Sequence, residues 1–188
     1  MPKLIVFNQV TLDGYFTGPT GDMSWAHAGA DDPEWKSFVA GNAQGGGVLV
    51  FGRVTYEMMA SFWPTPMAAK FDPVVAKEMN DMPKVVFSRT LKEASWTNTK
   101  LVKRGLVEAI SKMKSAPGKD MAILGSGTIV AQLAEAGLVD EYQLIVNPIV
   151  LGKGRTLFEG VKRAPKLKLL KSRTFKNGKV LLSYVPVV

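Results

Sequence analysis

The chain has 188 residues, 46% of them apolar and 21% charged, with a formal net charge of +8, no cysteine and a single histidine, His27. That length supports one well-buried domain, 1–188, and the missing cysteines exclude a disulfide framework and thiolate chemistry; a zinc or iron site would have to rest almost wholly on carboxylates, so no metal is expected. No apolar run approaches the ~18–20 residues of a bilayer span, and MPKLIVFNQV lacks the charged start, apolar core and cleavage site of a secretion signal, so a cytoplasmic protein with no membrane contact is expected.

In chain order, LIVFNQV (4–10) predicts a first strand that runs into the turn-rich TLDGYFTGPTGD. In DDPEWKSFVAG, Asp31 or Asp32 can cap a helix, Pro33 suits its first turn, and Trp35, Phe38 and Val39 share a face. GGGVLVFGRVTYEMMASFWP predicts a strand at 48–51, a turn at Gly52-Arg53 and a helix from about Thr55 that Pro64 and Pro66 stop. A strand at 84–88 and another at 100–102 follow, with no element assigned between Pro66 and Lys84. GLVEAISKMKS then places Leu106, Ala109, Ile110 and Met113 at helical spacing. MAIL (121–124) reads as a buried strand, and Ile129, Leu133 and Ala136 fall on one helical face before Gly137 ends the segment. The final third reads as strands, closing with Asn177-Gly178 as a two-residue hairpin signal. Alternating strands and helices followed by a strand-rich end predict an α/β fold: a mainly parallel sheet with antiparallel additions at one edge.

Residues 149–188 hold ten of the basic residues against one acid, Glu159. The plain reading places those lysines mainly on a solvated strand face. No aromatic-rich binding motif accompanies them, so nucleic acid is not expected as a partner.

ILGSGTIVAQL (123–133) joins a strand to a helix through Gly125-Ser126-Gly127-Thr128. Glycines allow close backbone approach and the first helical N–H groups face an anion, yet the same sequence would serve as a tight turn. Val130 stands where a dinucleotide fingerprint has its third glycine, so the usual fingerprint is absent. Two other strands also end in polar or cationic loops, FGRVT (51–55) and FSRT (87–90). If the three share a sheet edge, Arg53, Ser88 and Arg89 would surround one anion while the GSG backbone took another, which suits a pyrophosphate together with a 2′-phosphate. Taken singly, either arginine is an ordinary solvated residue.

The motifs VTLDG (10–14), FGRxTY (51–56), VFSR (86–89), GSGT (125–128), GLVDE (137–141) and NPIVLGKG (147–154), in this order, resemble the dihydrofolate reductase-like superfamily. The match is with stand-alone relatives of the reductase domain of the bifunctional deaminase-reductase of riboflavin biosynthesis; the deaminase half, with its His/Cys zinc signature, is absent. The resemblance implies a three-layer fold, a central mostly parallel sheet with helices on both faces, and NADPH across the strand ends. By matching position, Gly52, Arg53 and Thr55 would meet the adenosine-side phosphates, Ser88 and Arg89 the 2′-phosphate, and Gly125, Ser126, Gly127, Thr128 and Ile129 the pyrophosphate. Val10 and Thr11 would lie by the nicotinamide. Asp13-Gly14 would open a mobile loop over the reacting ring, unless Asp13 merely holds its own turn. A proton donor is expected in GADDPEWKSF, where Asp32 is chosen over Asp31 and Glu34; helix capping is the competing role. Trp25 and Trp63, with Trp35, would wall a flat heterocyclic substrate or else be core. Lys153 and Arg155 are candidates for gripping a substrate phosphate. The resemblance thus implies an NADPH-dependent reductase of a pteridine- or pyrimidine-like heterocycle, assembled as a homodimer. The competing reading is a non-catalytic NADP(H)-binding or interaction protein on the same fold.

Overall fold

A computed structural model describes residues 1–187. In chain order the strands are β1 (Leu4–Thr11), β2 (Tyr15–Thr17), β3 (Val48–Gly52), β4 (Lys84–Phe87), β5 (Thr99–Val102), β6 (Met121–Leu124), β7 (Glu141–Asn147), β8 (Arg155–Thr156), β9 (Leu167–Thr174) and β10 (Val180–Pro186). The helices are α1 (Pro33–Gln44), α2 (Arg53–Phe62), α3 (Pro66–Phe71), α4 (Pro73–Asp81), α5 (Leu106–Ser115) and α6 (Gly127–Glu135). Eight strands form one sheet in the order β5-β4-β3-β6-β1-β7-β10-β9, while β2 and β8 pair separately. The pairings from β5 to β7 are parallel; β10 is antiparallel to β7, and β9 to β10.

Side chains alternate across the sheet, so each strand feeds two layers. Val50 and Ile123 face Ile110 of α5 and Ile129, Val130 and Leu133 of α6. Leu49 and Phe51 face the other way, onto Tyr56 of α2 and Val75 and Met79 of α4. Trp35 of α1 packs with Ile145, Phe175 and Leu181. The adjacent strands β3 and β6 therefore send their following helices to opposite faces, which opens a crevice at their carboxyl ends.

The structure departs from the sequence expectations chiefly at three places. Residues 66–81 form two helices, where the prolines suggest a stop. Pro66 and Pro73 sit in first turns, behind Thr65 and Asp72, whose side chains accept from Ala68 N at 3.3 Å and Val75 N at 3.0 Å. Proline lacks only an N–H that a first turn leaves unpaired anyway, so these prolines start helices. The last hairpin is also not a two-residue turn: Gly178 N–H donates to Phe175 O and Phe175 N–H to Lys179 O, with Gly178 at φ 83 and Asn177 outside the positive-φ region. This is the three-residue loop with a glycine bulge. Finally, the lysines of the C-terminal segment lie mainly on a solvated face as expected, with Lys179, 1% exposed, as the exception.

Candidate functional site

The glycine loop begins with Asn8, a buried side chain on β1 whose Oδ1 accepts the Gly125 N–H at 2.7 Å. Gly125 (φ 67) and Ser126 (φ 60) both adopt left-handed backbone before α6 starts. A β-carbon on Gly125 would stand 2.5 Å from Thr55 Oγ1, and one on Gly52 would stand 2.0 Å from Ser126 Oγ. The loops after β3 and β6 thus meet through their glycines, at the crevice the topology opens.

This contact sorts the five amides expected to face a pyrophosphate. Gly125 N–H is taken by Asn8, and Ile129 N–H by Ser126 O at 2.9 Å. Those of Ser126, Gly127 and Thr128 have no acceptor among the described residues and fan out at the positive end of α6. Thr55 is buried against Gly125 and serves as wall, and Ile129 is core.

The edge continues outward along β4 and β5. Arg53 is exposed and pairs with Glu57 at 2.8 Å, a contact that a stronger anionic ligand can displace. Ser88 Oγ accepts from Thr90 and Leu91 N–H at 3.2 and 2.9 Å, which shapes the loop and presents Arg89. Ser88 N–H bonds Val102 O, bringing Lys103 and Arg104 beside it. Arg53, Ser88, Arg89, Lys103 and Arg104 all border one open cleft of about 2280 Å³. Asn8, Lys103 and Arg104 are not singled out in the sequence reading. The sequence signal for the last two is the K-R-G directly after the β5 strand.

On β1 the cleft is floored by Phe7, Asn8 and Gln9, whereas Val10 and Thr11 are buried and do not line it. The opposing wall comes from Trp35 and Val39 of α1 and from Met59, Phe62 and Trp63 of the α2 end. Trp63 is half-buried and its Nε1 donates to Met59 Sδ at 3.1 Å. Trp25 is buried outside the lining, and its Nε1 has no partner among the described residues. His27 is exposed at the margin.

The acids expected to be catalytic occupy other positions. Asp32 caps α1, accepting from Trp35 N at 2.8 Å, and does not line the cleft; Asp31 pairs with Lys36 and Glu34 with Arg173. Asp13 accepts from Thr11 Oγ1 at 2.6 Å, Leu151 N at 3.1 Å and Gly152 N at 2.7 Å. These bonds, the Thr11 hydroxyl foremost, hold its carboxyl below the usual aspartate range. Asp13 therefore ties the first loop to the segment after β7, and the β2–β8 pairing continues that seam past Gly154. Arg155 lines the cleft and Lys153 does not. Among the described residues, no group of three His, Cys, Asp or Glu could hold a metal ion, and no helix is long and apolar enough to cross a membrane.

An open α/β sheet of this strand order, carrying its loops at the carboxyl ends of the central strands, has dihydrofolate reductase-like architecture. Dihydrofolate reductase from Enterococcus faecalis, solved with NADP(H), superposes with a TM-score of 0.63 at 16% identity over 99% of this chain and 97% of that one. The chain belongs to the RibD C-terminal domain family, whose model matches residues 2–181. It is 31% identical to the Bacillus subtilis (strain 168) protein YyaP over 182 residues, 97% of this chain and 94% of that one. A protein of Shewanella sp. PV-4 named for riboflavin biosynthesis gives a TM-score of 0.75 at 23% identity, with 99% of both chains covered. The deaminase/5-amino-6-(5-phosphoribosylamino)uracil reductase of Thermotoga maritima gives 0.67 at 14% identity, over 99% of this chain and 57% of that one. Family and fold together are reductase-like.

Proposed function

We propose that this protein is an NADPH-dependent reductase of a pteridine- or pyrimidine-like heterocycle, of the kind represented by 5-amino-6-(5-phosphoribosylamino)uracil. The observation that carries the reading is the interlock of Gly52 with Ser126 and of Gly125 with Thr55, which leaves the Ser126, Gly127 and Thr128 amides facing the crevice. A side chain at either glycine would force the two loops apart, and amides without acceptors at a helix start fit a pyrophosphate. Arg53, Arg89 and Arg104, spread along the same edge, would hold a 2′-phosphate. When bound, the nicotinamide supplies the hydride. The chain's part is to hold the ring near Phe7 and Gln9, to exclude water with Trp35, Val39 and Met59, and to fix the covering loop through Asp13.

Titration with NADPH and NADH tests this directly. Arg53→Ala with Arg89→Ala should weaken NADPH at least tenfold and leave NADH within about twofold, since each charge-assisted hydrogen bond contributes about 1.5–3 kcal/mol. Equal losses for both cofactors, or no binding of either, would sink the assignment.

One observation favours the second reading, an NADP(H)-binding protein without turnover. Four carboxylates border the cleft: Asp72 caps α4, Asp120 accepts from Lys3 N, Glu135 accepts from Lys162 and Arg163 N, and only the exposed Glu159 has no hydrogen-bond or ion-pair partner among the described residues. A reductase built this way would draw its proton from Glu159 or from water. Sustained NADPH oxidation with any member of an oxo-pyrimidine and pteridine panel would eliminate this second reading.

The same reading carries a homodimer formed through β9, an outer strand exposed on nearly every residue with Leu167, Leu169 and Leu170 at the surface. A monomer mass in light scattering at working concentration would rule it out.

A further inference from the structure

Beneath the floor of the cleft lies a buried ammonium that the reductase reading does not use. Lys179 follows the hairpin turn, is 1% exposed, and has no carboxylate within ion-pair distance among the described residues. Its Nζ donates to Ala26 O at 3.0 Å, to Gln9 Oε1 at 3.4 Å and to Asn147 Oδ1, with the Trp35 ring 5.1 Å away.

An ammonium is a donor with no acceptor capacity, so both amide side chains must turn their oxygens toward it and their NH₂ groups away. For Asn147 those hydrogens are consumed, since Nδ2 donates to Val10 O and Ile145 O at 3.2 Å each. For Gln9 they are not. Its side chain is half-buried, it lines the cleft beside Phe7 and Trp35, and no described residue accepts from its Nε2. A fixed donor between aromatic walls is a specificity element of the kind that orients a flat ligand.

We propose that Gln9 donates through Nε2 to a ring carbonyl of the bound heterocycle, and that Lys179 is the positioning residue that fixes this orientation. The inference rests on the reading of the cleft as a reductase site and names its substrate class. An oxo-heterocycle presents an acceptor to Gln9. A 2,4-diamino-heterocycle presents donors, which would need an acceptor there, and the β1 floor of Phe7, Asn8 and Gln9 carries no carboxylate.

Fluorescence titration of the full chain with pteridine-2,4-dione and with 2,4-diaminopteridine, each with and without NADP⁺, tests it. The wild type should bind the dione at least about tenfold tighter, the effect of one well-made hydrogen bond against one unmatched donor. Gln9→Leu should abolish the preference, and Gln9→Glu, which puts an acceptor in the same place, should invert it. Lys179→Met should lose the preference while keeping NADPH affinity. A wild type indifferent to the two compounds, or a Gln9→Glu variant that still prefers the dione, overturns the role of Gln9; a folded Lys179→Met variant that keeps the preference overturns that of Lys179. If NADPH fails to bind while the Gln9→Glu inversion holds, the cofactor reading falls and this one stands.

Discussion

Gly52 and Gly125 each hold a hydrogen where any side chain would strike the neighbouring loop, at 2.0 Å from Ser126 Oγ and 2.5 Å from Thr55 Oγ1 respectively. Gly125→Ala combines that collision with a positive φ, so it should lower stability by about 1–3 kcal/mol and weaken NADPH at least tenfold. Gly137→Ala is the control: φ is 66 but nothing lies within 4 Å, so strain of about 1–2 kcal/mol should appear in urea unfolding without loss of cofactor affinity. Equal NADPH affinity in both variants would remove the cradle role from Gly125. At this scale the sequence was half legible. The GSG motif and the arginines could be seen, because glycine and guanidinium are informative wherever they occur. That Gly125 spends its amide inside the chain could not be seen, since Asn8 lies more than a hundred residues away and one asparagine on a strand announces nothing.

Among elements, the strands were legible through short β-branched and aromatic runs such as LIVF, KVVF and MAIL. α3 and α4 were not, because Pro66 and Pro73 carry opposite meanings at the two ends of a helix and only the capping residue before them decides. Asp72→Ala should cost about 1 kcal/mol in urea unfolding by removing the bond to Val75 N, with Asp72→Asn closer to wild type. An Ala variant as stable as the wild type would show that packing of Val75 and Met79 alone sets that helix start. The hairpin turn departs from expectation for a related reason: Asn-Gly fits both a two-residue turn and a three-residue turn with bulge, and backbone geometry at Asn177 separates them.

For the whole molecule, the charge of +8 is carried mainly at the surface, yet Lys84 and Lys179 are each 1% exposed. Lys84 donates to Asn80 O, Met82 O and Thr97 O under the Trp96 ring, an interior knot that composition cannot disclose. Burial lowers both ammonium groups from 10.5 to about 8. Between those values the unfolded chain binds more protons than the folded one, so stability rises with pH through that window and is lower beneath it. The urea midpoint should therefore climb from about pH 7.5 to about pH 9.5, and Lys84→Met and Lys179→Met should each flatten the climb whatever their effect on absolute stability. A midpoint that does not rise in the wild type would contradict the lowered values. Measurement belongs below pH 10, because burial raises Tyr142 above its ordinary 10.0 and reverses the trend beyond it.

The strand order also bears on when the crevice comes into being. β6 is slotted between β3 and β1, two strands already made by the first fifty or so residues, and its register with both involves partners more than seventy positions away. No sub-assembly lacking β6 brings the loop of Gly52 against that of Gly125, and loop closure over such separations is slow. On the proposed cofactor reading, a nucleotide would find its cradle only once β6 has joined the sheet. NADPH should slow the departure of the native state and leave the rate of its arrival unchanged, which stopped-flow refolding and unfolding with and without the cofactor would register as a shift in one limb alone.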